Sequence, residues 1–305
     1  MYTIHRVTPF SFVGREGANL RMQRYKIVHR TYYNFTYPVT LGPHTLRLRP
    51  REGHELRIEN FDLKISPQAD VLWHRDVEGN SVAIASFALP TRHLSIESDV
   101  IVWQYLEKPL DFLVADYAVA YPFSYKREDL VLLAPYIGLS DAEAMPDVKR
   151  WVAGIWQPGE PIQTYGLLRR LTSVIYRNMV YQVREEPGVQ SATTTLARGT
   201  GSCRDFALLL MAAARELGLA ARFVTGYLHA PLSSGAGATH AWAEIYLPGA
   251  GWKGFDPTTG SIAGEDHIPV AVARLAGSVP PIAGSYKGNA SSQLDVGVWV
   301  SKCAS

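Results

Sequence analysis

The stretch that decides the fold is Gly199-Thr200-Gly201-Ser202-Cys203-Arg204-Asp205-Phe206-Ala207. Beyond Cys203, apolar residues recur at helical spacing, which predicts a helix that stops at Gly218. Ser202 and Asp205 form an S-x-x-D capping box, so we expect Ser202 to be the N-cap and Cys203 the first helical residue. A thiol there lies at the positive end of the helix dipole, beside unpaired backbone N–H groups, which favours the thiolate. The stretch therefore predicts a nucleophilic cysteine.

The composition is typical of a globular chain with a sizeable core. The chain has 305 residues, of which 47% are hydrophobic and 19% charged, and this length is enough for two domains. A net charge of +2 without a basic run argues against a nucleic-acid partner. No apolar segment reaches the length of a membrane span, so we expect no membrane partner. Two cysteines a hundred residues apart form no disulfide framework, which favours a cytoplasmic location.

The N-terminal part of the sequence predicts a β-rich domain. Residues 1–23 have no apolar core like that of a secretory signal, and we expect them to form a disordered leader. Over residues 24–125, short alternating runs punctuated by Gly, Pro and Asn predict an antiparallel β-sandwich-like domain. Within it, Glu78-Gly79-Asn80 predicts a hairpin turn. The histidines of this region lack metal-ligand spacing, so we expect no metal.

The remainder, residues 126–305, predicts a second domain with its core at 160–262. Helices are expected from Ser140-Asp141-Ala142-Glu143 onward and, in amphipathic form, over residues 167–179. Beyond the cysteine helix, strands are expected over three segments, 221–229, 239–247 and 252–256, with a flexible loop at 231–238. The tail from Ser261 is rich in Gly, Pro and Ala and predicts one final strand, at 294–300, which returns to a sheet.

Cys203, His240 and Asp256 call for a common explanation. A cysteine nucleophile needs a base, and the imidazole needs a third group to fix its tautomer. If a five-residue loop pairs Tyr246 with Trp252, His240 and Asp256 become diagonal neighbours on one face of a hairpin. A loop of two or four residues would put them on opposite faces. The hypothesis of a catalytic triad therefore predicts the strand register.

Each of the three residues also has a structural interpretation. Cys203 could be a small core residue, His240 a hydrogen-bonded structural histidine, and Asp256 a turn former before Pro257. Their order along the chain and their local settings favour the triad over three coincidences.

Four blocks of sequence carry a family resemblance. They are G-x-C-R-D-F-A (201–207), L-G-L-A-A-R-F-V-T-G-Y (217–227), H-A-W-A-E (240–244) and G-W-K-G-F-D-P-T (251–258). Together they resemble the core of the transglutaminase-like superfamily, and residues 25–50 resemble the β-rich N-terminal region of bacterial transglutaminase-like proteins. The resemblance implies an α+β fold with a papain-like core, in which the helix bearing the nucleophile packs on an antiparallel sheet. It also implies Cys203 as nucleophile, His240 as base and Asp256 as orienting group.

Further candidates surround the triad. The backbone N–H of Cys203 is one candidate donor to an oxyanion, and Tyr181 or Gln182 is a candidate for the second. Trp242 lies two residues along the strand from His240. It either walls a substrate channel or packs in the core.

The function expected from these features is acyl transfer on peptide or side-chain amides through a thioester. Resolution by water makes the protein a cysteine protease or amidase, whereas a primary-amine acceptor makes it a transglutaminase or amide ligase. For a cytoplasmic chain of bacterial type we expect hydrolysis. No sequence resembles a calcium loop, and no cofactor is expected. A non-catalytic peptide-binding module is the alternative of another class.

Overall fold

The computed structural model describes residues 4–6, 22–105, 110, 112–138, 146–184, 186–230 and 239–303. In chain order the strands are β1 (Ile4–Arg6), β2 (Gln23–Leu41), β3 (His44–Leu46), β4 (Leu56–Ser66), β5 (Asp70–Arg75), β6 (Ser81–Ser86), β7 (Thr91–Gln104), β8 (Leu113–Ala115), β9 (Ala120–Tyr121), β10 (Ile162–Gln163), β11 (Val180–Tyr181), β12 (Thr200–Gly201), β13 (Ala221–Leu228), β14 (His240–Leu247), β15 (Gly251–Asp256), β16 (Ser261–Ile262), β17 (His267–Ala273), β18 (Ile282–Ala283), β19 (Tyr286–Lys287) and β20 (Ser292–Lys302). The helices are α1 (Asp116–Val119), α2 (Arg127–Ile137), α3 (Pro146–Ala153), α4 (Thr164–Asn178), α5 (Ala192–Arg198) and α6 (Cys203–Glu216), with a 3-10 turn at Ala276–Ser278.

Three expectations fall wholly or largely outside the described residues. They are the flexible loop at 231–238, the helix start at 140–143 and most of the leader at 1–23. Within the leader, β1 pairs with β8. Within the described ranges, every helix is too short or too polar to cross a membrane.

The N-terminal unit is an antiparallel β-sandwich, as the sequence predicts. One sheet has the order β19-β2-β7-β4 with β20 also on β2, and the other has the order β18-β3-β6-β5. Alternate residues of β2 and β7 are buried, because side chains of a strand point to opposite faces. Phe35, Leu46 and Ile96 are among the buried residues that fill the space between the sheets. The predicted hairpin at Glu78-Gly79-Asn80 joins β5 to β6, with Gly79 in the left-handed region at φ 74°.

The C-terminal tail differs from its prediction. The final strand is longer than expected, and it pairs with β2 from Tyr25–Lys302 to Phe35–Ser292 rather than within the second domain. It thereby occupies a strand edge of β2 that would otherwise be unpaired. Four further strands, β16 to β19, also lie in this tail. The apolar run of β17 is buried on both faces, so it lacks the alternation from which the N-terminal strands were predicted.

The second unit is the predicted α+β core. Its antiparallel sheet has the order β16-β15-β14-β13-β17, and α6 packs on the face that carries Ala241, Ala243 and Ile245. The predicted register is confirmed, because Tyr246 pairs with Trp252. Leu247 and Gly251 pair as well, so the turn itself spans three residues without changing the faces.

The sandwich covers the open edge of this sheet at β17. The Asn80 side chain donates to Val272 O at 2.8 Å and accepts from Val272 N at 2.9 Å, in the manner of a neighbouring strand. Arg51 N donates to Pro269 O at 2.8 Å. Asn80 is fully buried, so these hydrogen bonds are shielded from water and join the two units firmly.

The buried His29 predicts how stability depends on pH. Its ring bonds the Tyr227 hydroxyl and Thr31 Oγ1, both at 3.1 Å. Burial, with a smaller contribution from the Arg30 charge, lowers the pKa of His29 to about 4. The unfolded chain therefore binds one more proton than the folded chain between pH 6.5 and 4, and stability falls as pH falls through this window. From pH 7 to 4 the wild type should lose about 3 kcal/mol more than His29→Gln.

Urea unfolding followed by circular dichroism at several pH values measures this difference. His93→Gln is the matched control, since His93 is exposed and bonds Asn34. It should retain the acid slope of the wild type. An unchanged slope in His29→Gln would contradict the assignment.

Candidate active site

Helix α6 begins at the residue predicted from the sequence. Ser202 is the N-cap and Cys203 the first helical residue. The backbone N–H and the hydroxyl of Ser202 both donate to Asp205 Oδ2 at 2.8 Å. Because the Asp205 carboxylate is fully buried, this cap fixes the first turn of the helix. Cys203 is 9% exposed and lines a cleft.

Asp205 also ties the preceding loop to the helix. Its Oδ1 accepts from the backbone N–H of Gln190 at 2.7 Å and from Arg184 Nη1 at 2.9 Å. Gln190 Nε2 in turn donates to Thr200 O at 3.0 Å, just before the cap. Arg184 lines the same cleft as Cys203, so one buried carboxylate holds the nucleophile position and part of the cleft wall.

His240 and Asp256 meet across the hairpin of β14 and β15. His240 Nε2 lies 2.8 Å from Asp256 Oδ2. The other carboxylate oxygen, Oδ1, accepts from Thr258 N at 2.8 Å, and the carboxylate is fully buried. Cys203 lines the same cleft as His240, and Nδ1 is the ring nitrogen of His240 that does not contact Asp256. The structure thus brings together the three residues of the triad hypothesis.

Electrostatics at the site favour a charged imidazole. Burial by itself would lower the pKa of His240, but its hydrogen bond with Asp256 and its interactions with the charges of Asp256 and Cys203 raise that pKa to about 10. Burial of Asp256 is likewise outweighed, because hydrogen bonds with His240 and His267 hold the pKa of its carboxyl well below the usual range. At neutral pH these shifts place an imidazolium beside the cysteine, which is the arrangement that activates a thiol nucleophile.

His267 is a member of the site that the sequence did not reveal. Its Nε2 lies 3.0 Å from Asp256 Oδ2, the oxygen that His240 also contacts, and its side chain is only 7% exposed. The residue lies in the tail that was predicted to be largely irregular. A histidine at the start of the apolar run 268–273 was the signal that could have found it.

The cleft beside Cys203 and His240 has a volume of about 390 Å³. Its other walls combine apolar, small and cationic residues: Tyr181, Val183, Arg184, Pro187, Gly188, Val189, Ser202, Arg204, Phe223, Thr225, Thr239, Ala241, Ala276, Gly277, Val279, Pro280 and Pro281.

The three subsidiary candidates have different positions. Tyr181 lines the cleft, and burial together with the charge of Cys203 raises the pKa of its phenol, which keeps the donor protonated. Gln182 is exposed outside the cleft lining, and its backbone N–H donates to Gly201 O at 2.9 Å. Trp242 is 1% exposed and packs with Val224 on the sheet face opposite α6. For Trp242, therefore, the structure supports core packing.

His240, Asp256 and His267 also form the one metal-sized cluster among the residues that the structure describes, with ligand atoms within 4.8 Å of one another. Both imidazoles are already hydrogen-bonded to the same carboxylate oxygen. Hydrogen bonding therefore accounts for the cluster without an ion.

Comparisons with known proteins agree with this architecture. The model of the bacterial transglutaminase-like N-terminal region matches residues 25–103, and that of the transglutaminase-like superfamily matches residues 151–257. An uncharacterized protein of Mycobacterium tuberculosis is 31% identical over 299 residues, which cover 90% of this chain and 91% of the relative. An uncharacterized protein of Mycobacterium leprae is 25% identical over 292 residues, 93% of this chain and all of the relative. The crystal structure of a candidate cysteine protease from Cytophaga hutchinsonii has a TM-score of 0.73 and 21% identity, and the match covers 93% of this chain and 92% of that one.

Proposed function

Because this chain belongs to the transglutaminase-like superfamily, we propose that it is a cysteine-dependent acyl-transfer enzyme. Its substrates are peptide or side-chain amides, and its intermediate is a thioester on Cys203. The observation that carries the proposal is the hydrogen bond between His240 and the buried Asp256, in the cleft that Cys203 also lines. A peptide-binding module would not need an imidazole whose pKa is raised beside a thiol.

Acylation uses the residues as follows. The Cys203 thiolate attacks the amide carbon, a C–S bond forms, and the carbonyl electron pair moves to oxygen. The proposed donors to that oxyanion are the Cys203 backbone N–H, which has no acceptor within the helix, and the phenol of Tyr181, which lines the same cleft. The intermediate then collapses with cleavage of the C–N bond, and His240 gives its Nδ1 proton to the departing ammonia or amine.

Deacylation reverses the role of the imidazole. Neutral His240 accepts a proton from water, the hydroxide attacks the thioester carbon, and the C–S bond breaks to release a carboxylic acid and the Cys203 thiolate. Asp256 stabilises the imidazolium that forms in this step. We favour water over a primary amine as acceptor, and the resemblance of the fold to the Cytophaga hutchinsonii protein supports this choice.

The test exposes the protein to a glutamine-containing peptide library, with and without an added primary amine, and follows the products by mass spectrometry. We expect Cys203-dependent cleavage or deamidation that the amine does not suppress. Cys203→Ala is the matched control and should yield no product, while Cys303→Ser should match the wild type. Incorporation of the amine in most products would show that the protein is a transglutaminase rather than a hydrolase. An unmodified library, with Cys203 intact, would favour the binding module.

A further inference from the structure

His267 shares the Asp256 carboxylate with the proposed base. Gly264 N donates to His267 Nδ1 at 3.2 Å, so the ring proton resides on Nε2. That Nε2 faces Asp256 Oδ2 at 3.0 Å, and the histidine is therefore a donor to the carboxylate. With Thr258 N on the opposite oxygen at 2.8 Å, the carboxylate is held from two sides. These two contacts fix the rotation of the Asp256 carboxylate independently of its contact with His240.

The ring of His267 has little freedom of its own. It packs edge-to-face on Trp242 with ring centroids 5.2 Å apart, and its centroid lies 6.1 Å from that of His240. The side chain is 7% exposed. A buried aromatic neighbour and a backbone donor together hold one rotamer and one tautomer. Trp242, on the sheet face opposite α6, thus packs against His267 without lining the cleft.

The N-terminal sandwich holds the turn that carries His267. From β7, Gln104 Nε2 donates to the His267 carbonyl at 3.1 Å. From β2, the Tyr25 hydroxyl donates to Asp266 Oδ1 at 2.9 Å. His229 Nδ1 lies 3.1 Å from the same Asp266 oxygen. Because Gln104 is buried, its contact with the His267 carbonyl is protected from competing water.

We propose that His267 is a positioning residue, which orients Asp256 so that Nδ1 of His240 faces Cys203, and that the N-terminal sandwich holds His267 in place. The inference rests on the proposed function, since the reaction positioned is the one at Cys203. It also assigns the sandwich a part in the active site, because two of its strands reach the turn that bears the second histidine.

The test compares His267→Phe with His267→Gln. Phenylalanine keeps the packing on Trp242 and removes the donor, whereas glutamine restores an N–H donor. We expect kcat of His267→Phe to fall about 30-fold with KM within about twofold, and His267→Gln to recover most of the loss. His93→Phe, on the exposed surface, should match the wild type. Thermal melting of each variant separates loss of fold from loss of rate.

Two substrate-independent measurements accompany the kinetics. In a Cys303→Ser background, iodoacetamide labels Cys203 alone, and the pH profile of its labelling rate should shift in His267→Phe and return in His267→Gln. By nitrogen-15 NMR, the His240 Nε2–H signal should exchange faster with water in His267→Phe. A melting temperature that falls while kcat, labelling and exchange all stay at wild-type values would overturn the inference and leave His267 structural.

If the proposed function is wrong, the wild type itself will show it. The wild type will not turn over the peptide, and the rate at which iodoacetamide labels Cys203 will rise only above about pH 8, as for a free thiol. The His240 exchange measurement then still decides the role of His267.

For the sandwich, Tyr25→Phe removes one oxygen atom and should lower kcat about threefold through Asp266. Tyr33→Phe, a change of the same atom on the same strand, should have no effect. Equal rates in both variants would overturn the part assigned to the sandwich.

Discussion

Replacing His240 with glutamine is expected to lower kcat/KM about 10,000-fold or more. The reason is that one side chain supplies both proton transfers and the charge beside Cys203. Glutamine has a similar volume and can still bond Asp256, so the loss reports the chemistry rather than the packing. Steady-state kinetics on the peptide identified by the library measures it. His93→Gln is the control and should keep wild-type activity.

The pH profile of the wild type gives the sign of the His240 shift. A raised pKa means that the imidazolium persists at neutral pH and is lost as pH rises through about 10. Activity that needs the imidazolium to protonate the departing amine should therefore fall above about pH 10. At pH 7 the iodoacetamide labelling of Cys203 should slow about tenfold in His240→Gln. Labelling of His240→Gln at the wild-type rate would contradict the claim that the His240 imidazolium activates Cys203.

Most of the fold near Cys203 could be predicted from local signals. The capping box predicted the start of α6, and the triad hypothesis predicted the hairpin register, because a strand side chain changes face with every residue. The same period of two predicted the sandwich strands. These features depend on neighbours in the sequence, which is why a single chain contains enough information to predict them.

The features that could not be predicted depend on contacts between distant segments. Asn80 was recognised as a turn residue, but its hydrogen bonds with Val272 join residues 192 positions apart. His267 follows Asp256 by 11 positions and begins β17, a strand that was not predicted. Its contact with Asp256 requires β17 to lie beside β13. The strand β17 itself lacks alternation because both of its faces are buried. A local pattern cannot specify which strand fills an open edge.

Of the substitutions considered, replacement of the buried Asp205 is expected to cause the largest loss of stability. Its two oxygens accept hydrogen bonds from Ser202, Gln190 and Arg184 at 2.7 to 2.9 Å. Alanine would leave the Arg184 guanidinium without its closest carboxylate and two backbone N–H groups without an acceptor. We expect Asp205→Ala to lower the free energy of unfolding by about 4 kcal/mol. Urea unfolding followed by tryptophan fluorescence measures the change.

A matched pair at the surface tests whether burial is the cause. Asp147 and Arg150 form an ion pair at 3.1 Å, close to the 2.9 Å of Arg184 and Asp205, but their side chains are 49% and 78% exposed rather than 0% for Asp205. Asp147→Ala should therefore cost less than about 1 kcal/mol. Asp205→Asn keeps the volume and loses the charge, so it should lie between the two alanine variants. Equal losses at Asp205 and Asp147 would mean that the carboxylate network does not hold the start of α6. In that case the position of Cys203 would depend on the packing of the helix against the sheet alone.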